Sequence, residues 1–416
     1  MNVSTSKEKH FTSLSECVCC GSSDLMEYLD LGKQPLANNY HDNSKPQKTY
    51  PLNILVCKSC FHNQLSIAIN PEILYKNYIY VSGTSKTLNN YFQWFVEKVE
   101  SEFPNNSSLS VLDIASNDGS LLKVFKDRGH NVLGIDPAEN LKKESQKLGV
   151  ETITEFWNEE TSKKINQKFD VVIAMNVLGH VSNPFEFLKA CKHVLNDEGR
   201  IYIQTSQSEI FKRFEFDTIY HEHISFFTAK SFKTLVQKTN LQITTSSKIP
   251  IHGTSYLWSL SINKNNHDFD KLDYEAIYKD EEESGYYNLD TYKRFEQLTS
   301  LKPKEIENQI NNLKKSGYKI IGYGAAAKGN TVLNYCKLDL DYVIDDNPLK
   351  VGKYTPGRNI EIKNSSILYS EDCKLAIVVL AWNFYDEIKE NISKIRRNKN
   401  DIYLKLLPEL ICESSN

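Results

Sequence analysis

The segment FDTIYHEHISFF sets Tyr220, His221, Glu222 and His223 at consecutive positions. A phenol, a carboxylate and an imidazole grouped this tightly suit the removal of a proton beside a carbonyl. A carbon alpha to a ketone is no nucleophile until that proton leaves. The step needs a base with a pKa near neutrality and a donor for the developing enolate oxygen. Histidine can be the base, a nearby acid can hold its tautomer, and tyrosine can donate to the oxygen. The competing reading is that one of these histidines is a buried hydrogen-bonding residue.

Four of the nine cysteines fall in two CxxC pairs, Cys17 with Cys20 and Cys57 with Cys60. In a reducing compartment such pairs read as metal ligands, because the two-residue spacer lets both thiolates turn towards one tetrahedral ion. Cys19 competes with Cys17 or Cys20 for a place, and His62 is a further substitute. A full Cys₄ shell leaves no position for substrate or water, so the expected zinc is structural. A zinc knuckle gripping nucleic acid is the rival, but the surrounding segment lacks a dense Lys/Arg stripe.

A third group lies on VLDIASNDGSLL, Val111 to Leu122, an apolar strand running into a tight loop and then a helix. Such loops let backbone amides approach a ligand. NVLGIDP follows, ending at Asp136, where a carboxylate can accept both ribose hydroxyls of an adenosine-containing ligand. S-adenosylmethionine (SAM) is favoured over NAD. Asp113 stands at the strand end, and Asn117, Asp118 and Gly119 replace a glycine-rich pyrophosphate cradle. Asn176 and His180 follow a third apolar strand, FDVVIAMNV. Ala115 and Asn117 occupy places where the general methyltransferase motif has glycine.

The elements that must position these groups follow from hydrophobic periodicity. The chain has 416 residues, 40% of them apolar, which points to two or three domains. Its net charge of −3 gives no field for nucleic acid or an anionic membrane. No apolar run or signal-peptide core is present, so a cytoplasmic setting is expected. Residues 1–75 are a turn-rich zinc module. Residues 76–267 open with a helix carrying Leu88, Phe92, Phe95, Val96 and Val99 on one face. They continue as strands alternating with helices, a mostly parallel sheet covered on both faces. Residues 268–315 are a charged helical connector with Ile306, Ile310 and Leu313 on one face. Residues 316–416 form a second α/β unit opened by KIIGYGAAAKGN. The fold class is α/β: a small zinc module, a central Rossmann-like domain and a C-terminal Rossmann-like domain.

In that last unit the glycines read either as a second nucleotide site or as tight strand–helix packing. Lys328 and the backbone of Ala327–Asn330 can hold a diphosphate by charge and by the helix N-terminus, with Asp345 and Asp346 at the next strand end.

The succession CxxC…CxxC, VLDIASNDGSLL, NVLGHV, FDTIYHEHISFF, HGTS and GYGAAAKGNT resembles the zinc-containing, SAM-dependent sugar C-methyltransferases, among them the dTDP-sugar 3-C-methyltransferases of deoxysugar pathways. The resemblance covers nearly the whole chain. It implies His223 as general base, with Tyr220, Glu222 and His180 lining the site beside the sugar. It implies Tyr80, or alternatively Tyr78, as a further substrate contact. His252 and Ser255 match an HGGS-like element in which Thr254 stands for a glycine. The C-terminal domain, with Lys328, Asn330 and Asp345, would bind the nucleotide part of the substrate. The expected activity is methylation of C3 of a nucleotide-linked 4-keto-deoxysugar. An O- or N-methyltransferase on a related sugar is the enzyme alternative, and a non-catalytic zinc-containing nucleotide-binding protein the other.

Overall fold

Strict alternation builds the sheet that carries the first site. In the strand Ser110–Ile114, Val111 joins Val171, Ile173 and Tyr202 in one buried cluster, while Leu112 and Ile114 join Val172, Ala174, Ile201 and Ile203 in another. Successive side chains point to opposite faces, so strands apolar at every position must be covered on both sides. The helix Lys86–Glu102 covers one face with Leu88, Phe92, Phe95, Val96 and Val99, all buried as their spacing predicts. Each contributes ~1.5–3 kcal/mol by leaving water.

The computed structural model describes residues 10–42, 47–76, 78, 81–84, 86–206, 209–251, 253–262, 271–396 and 400–414. By their contacts they form two units, one of residues 1–26, 55–208 and 224–287 and one of 27–54, 209–223 and 288–416.

The first unit holds a seven-stranded sheet in the order Gln242–Ile249, Ser255–Ser261, Leu195–Thr205, Phe169–Met175, Ser110–Ile114, Asn131–Ile135, Thr152–Ile153. The last five are parallel, and Ser255–Ser261 runs antiparallel to both neighbours. The chain enters at Ser110–Ile114, proceeds outward to Thr152–Ile153 and returns on the other side at Phe169–Met175. That reversal leaves a crevice beyond the carboxyl end of Ser110–Ile114, where open α/β sheets take their ligands. The cysteine-bearing segment adds the short pairs Phe11–Ser13 with Ile67–Ile69 and Asn63–Leu65 with Ser225–Phe226.

The second unit has six strands in the order Ile362–Lys363, Val343–Ile344, Lys319–Tyr323, Leu375–Val379, Ile402–Lys405, Ile411–Ser414. Numbered along the chain this is 3-2-1-4-5-6, a Rossmann order, with only the last strand antiparallel. The glycines of GYGAAAKGN serve packing. A Cβ on Gly324 would lie 2.5 Å from that of Ala381, and one on Gly329 would lie 2.8 Å from that of Leu380.

The stretch read as one helical connector is two helices, each in a different unit. Lys271–Glu283 belongs to the first, and Leu289–Lys315 to the second. Ile306, Ile310 and Leu313 are buried, and Tyr292 and Phe295 meet Tyr28 and Phe211 edge-on. Among the described residues no helix is long and apolar enough to cross a membrane.

Lys271–Glu283 is anchored by a buried acid. Glu281 Oε2 accepts the backbone N–H of Ala229 at 2.8 Å, at the start of helix Ala229–Lys238, and the hydroxyl of Tyr287. Burial pushes its pKa up to about 7, which the donors only partly offset. A carboxyl whose folded pKa exceeds its unfolded value stabilises fully below the unfolded pKa and loses that contribution as pH rises through the folded one. Stability is therefore expected to fall by about 3 kcal/mol from this group between pH 4.5 and 7. In urea titrations across that range, Glu281→Gln should flatten the slope. An unchanged slope would show that Glu281 does not carry it.

Candidate active site and zinc centre

The four CxxC sulfurs converge. Cys17 and Cys60 Sγ are 3.5 Å apart, as are Cys20 and Cys57, and all four lie within 4.8 Å of one another. A tetrahedral zinc with Zn–S bonds of ~2.3 Å asks for sulfurs about 3.8 Å apart. The donor set fits, and all four positions are filled by thiolates, which makes the ion structural. Cys19 is fully buried but outside the cluster. His62 turns its Nε2 to the Ser225 hydroxyl at 3.2 Å.

Beyond the strand Ser110–Ile114 the loop folds as the glycine-rich motif would, without its glycines. Ala115 and Asn117 hold φ of 59° and 54°, the left-handed region, and Gly119 follows at 79°. Asn117 N–H donates to Asp136 Oδ2 at 2.9 Å, and Ala138 N–H to Oδ1 at 2.8 Å. Each Asp136 oxygen keeps a lone pair for a ribose hydroxyl. A second segment, the Ser82–Gly83 pair that follows the tyrosines Tyr78 and Tyr80, closes on the loop. Ser82 N–H donates to Asn117 Oδ1 at 2.9 Å and Gly83 N–H to Asp118 Oδ2 at 3.0 Å. A Cβ on Gly83 would fall 2.2 Å from Ser120 Oγ.

Asp113 is 4% exposed, and among the described residues its carboxylate has no hydrogen-bond donor. Burial raises its pKa well above the carboxylate range, and Asp136 and Asp118 add to the rise. Three acids at one loop repel a pyrophosphate and attract a cation. SAM, with its ammonium and sulfonium charges, fits this loop, and a dinucleotide does not.

Asn176 also adopts a left-handed φ of 55°, and its Oδ1 accepts Gln204 Nε2 at 3.0 Å while Gln204 Oε1 accepts the Tyr91 hydroxyl at 2.7 Å. His180 Nδ1 lies 3.2 Å from the Tyr75 hydroxyl, with the rings at 89°, and Tyr78 packs against Tyr75 at 5.8 Å. Asn140 holds Tyr78 by both backbone groups. Ser255 is fully buried and donates to the Ile251 carbonyl at 2.7 Å. Tyr80 and His252 lie outside the described residues.

The second unit carries the histidine cluster. His223 Nδ1 is 2.7 Å from the Thr218 carbonyl. A carbonyl only accepts, so Nδ1 carries the hydrogen and Nε2 of the neutral ring is the free base. The Tyr220 hydroxyl donates to that Nε2 at 2.8 Å. Glu222 is buried, accepts Asn38 Nδ2 at 2.8 Å, and has its pKa pushed up to about 7 by burial. His221 points elsewhere. Its Nε2 donates to the Pro51 carbonyl at 3.1 Å, and burial pulls its pKa down to about 4, so it is a neutral structural residue.

The residues read as diphosphate ligands are engaged within the protein. Lys328 Nζ is buried 3.5 Å from Glu215 Oε2 and 5.2 Å over the Trp382 ring. Asn330 is 1% exposed and donates to the Ala37 carbonyl at 2.7 Å. Asp345 accepts the N–H groups of Ala325 and Asn347 and pairs with Lys350 at 3.3 Å.

Three family models match consecutive stretches: "Putative zinc binding domain" over residues 17–75, "Methyltransferase domain" over 90–246 and "C-methyltransferase C-terminal domain" over 250–406. The C-methyltransferase NovU of Streptomyces niveus is 27% identical over 397 residues, spanning 92% of this chain and 94% of NovU. The ubiquinone biosynthesis O-methyltransferase of Actinobacillus pleuropneumoniae serotype 7 is 30% identical over 105 residues, 23% of this chain and 44% of that protein. Among solved structures, a SAM-dependent methyltransferase from Clostridium acetobutylicum aligns with a TM-score of 0.35 and 12% identity, covering 42% of this chain and 92% of that one.

Two outcomes follow from this geometry. Purified protein should carry one zinc per chain by elemental analysis. Cys19→Ser should keep it, whereas Cys60→Ser should lose it with the fold of the module; zinc loss in Cys19→Ser would put Cys19 in the shell. Asp113→Asn removes a buried, unpaired acid, so the ligand-free protein should melt higher. By calorimetry the same change should weaken SAM binding about tenfold or more, the loss of a charge-assisted contact. Unchanged affinity would remove Asp113 from the site.

Proposed function

We propose that this chain, a SAM-dependent methyltransferase with a zinc module and a C-methyltransferase C-terminal domain, methylates C3 of a nucleotide-linked 4-keto-deoxysugar in the cytoplasm. The observation that carries the mechanism is the contact of His223 Nδ1 with the Thr218 carbonyl, which in the neutral ring leaves Nε2 unprotonated and in contact with a phenol. The kinship with a C-methyltransferase along nearly the full chain supports carbon as the acceptor. All nine cysteines are free, which suits a reducing cytosol.

His223 Nε2 takes the C3 proton, and the electron pair of the C–H bond moves towards the C4 oxygen as an enolate. That transfer needs the single lone pair of Nε2, so the Tyr220 hydroxyl leaves it as the sugar binds and turns its hydrogen to the C4 oxygen, where it meets the developing enolate. The imidazolium keeps its Nδ1 hydrogen bond to Thr218. SAM, when bound, supplies the electrophilic methyl group that C3 attacks, and the ketone re-forms. Asp136 takes the ribose hydroxyls and Asp113 the methionine ammonium, with Gly119 and Asn176 completing the loop contacts. Tyr78, His180 and Ser255 face the sugar in this reading. Glu222, whose pKa burial raises to about 7, is partly protonated at neutral pH and in that form acts as a donor beside the sugar.

The test is solvent exchange. A panel of nucleoside-diphosphate 4-keto-6-deoxysugars is incubated with enzyme in deuterated water without SAM and read by mass spectrometry and NMR. Wild-type enzyme should introduce deuterium at C3. His223→Gln should lower exchange and methyl transfer by about 10³-fold, and Tyr220→Phe by about 10–100-fold. Exchange that survives in His223→Gln, or a methyl group found on oxygen or nitrogen, sinks the assignment. The latter outcome is the one an O- or N-methyltransferase gives.

A further inference from the structure

The Thr218 carbonyl fixes the tautomer of His223, so whatever holds that carbonyl holds the base. Both residues flanking Thr218 are tied to the C-terminal part of the second unit. Asp217 is fully buried, and its Oδ2 accepts Trp382 Nε1 at 2.6 Å. The carbonyl of Ile219 accepts the Thr331 hydroxyl at 3.3 Å. Two residues upstream of Asp217, Glu215 pairs with Lys328 at 3.5 Å. The Phe216 ring meets Tyr335, at the end of the same helix Ala327–Tyr335, with centroids 5.7 Å apart.

The same helix also reaches the other side of the cluster. Asn330 Nδ2 donates to the Ala37 carbonyl at 2.7 Å and to the Tyr40 hydroxyl at 3.1 Å. Tyr40 in turn donates to the Ala325 carbonyl at 2.6 Å. Between Ala37 and Tyr40 sits Asn38, the donor to Glu222. The GAAAKGNT element therefore grips the segment Glu215–His223 directly and its acid through one loop.

Lys328 cannot leave for a phosphate without cost. Its ammonium sits in the field of both buried acids, Glu215 and Asp217, and moving it would leave them uncompensated. We infer that Lys328, Thr331 and Trp382 are positioning residues, a clamp that sets the Thr218 carbonyl and through it the Nε2 of His223, rather than ligands of a diphosphate. The inference rests on the reading of His223 as the base.

The experiment uses full-length, zinc-loaded protein with Lys328→Met, Lys328→Arg, Thr331→Val and Trp382→Phe. Methyl transfer to dTDP-4-keto-6-deoxyglucose, C3 exchange without SAM, and dTDP binding by calorimetry are compared. Thr331→Val and Trp382→Phe, which keep the buried charges in balance, should lower kcat and exchange by about 10–100-fold. KM and the dTDP Kd should stay within about threefold of wild type. Lys328→Arg should recover most of what Lys328→Met loses. A Lys328→Met enzyme with kcat kept and dTDP affinity about tenfold weaker makes Lys328 a ligand and overturns the clamp. Imidazole ¹⁵N spectra read the clamp apart from turnover. Wild-type His223 should be a single tautomer protonated at Nδ1, and the folded Thr331→Val and Trp382→Phe variants should mix both forms. Unchanged spectra in those variants overturn the clamp; a wild-type enzyme that exchanges no C3 proton on the whole panel overturns the base reading alone.

Discussion

A neutral imidazole is a base only at the nitrogen without a hydrogen, and here one backbone carbonyl decides which nitrogen that is. The 2.7 Å contact from His223 Nδ1 to Thr218 leaves Nε2 for proton transfer. It also couples base and donor. Without substrate Nε2 accepts the Tyr220 hydrogen. In the proposed mechanism that hydrogen passes to the C4 oxygen first, and the lone pair it vacates then takes the C3 proton.

The methyl donor is selected by a different force. Asp113 and Asp136 stand at the carboxyl ends of neighbouring strands beside the loop after Ser110–Ile114, and burial magnifies the cost of their charge. An acid without a donor is destabilising until a cation arrives, so the loop stores instability that a cationic ligand relieves. The backbone holds Ala115 and Asn117 in a conformation that glycine would adopt with less strain. That strain persists because the strand before the loop and the segment Ser82–Gly83 packed on it hold its path. Zinc acts outside this chemistry: four thiolates saturate it, and its part is to tie the Cys17–Cys20 turn to the Cys57–Cys60 turn.

Much of this was legible in the sequence, and the reasons are local. Two CxxC pairs announce converging thiolates, and runs such as VLDIA and FDVVIAM announce buried strands because side-chain direction alternates. Asp136 follows from its place after the second strand. What stayed hidden depends on residues distant in sequence. The resemblance points to His223 rather than His221, but the physical difference between these two histidines lies in their partners, the Thr218 and Pro51 carbonyls. Tyr75, Asn38 and Trp382 carry no motif, and each matters through a partner brought near by folding. Lys328 is a case where the local pattern and the folded surroundings point to different roles. A lysine after a glycine-rich turn reads as a phosphate ligand until its buried partner Glu215 is seen.

The claim on which all of this turns is that the new bond is carbon to carbon. Turnover with SAM carrying a ¹³C-labelled methyl group, followed by NMR of the product sugar, tests it most directly. The account predicts a labelled methyl attached to C3, in the aliphatic C–CH₃ region and coupled to that ring carbon. A labelled methyl in the methoxy or N-methyl region would contradict it.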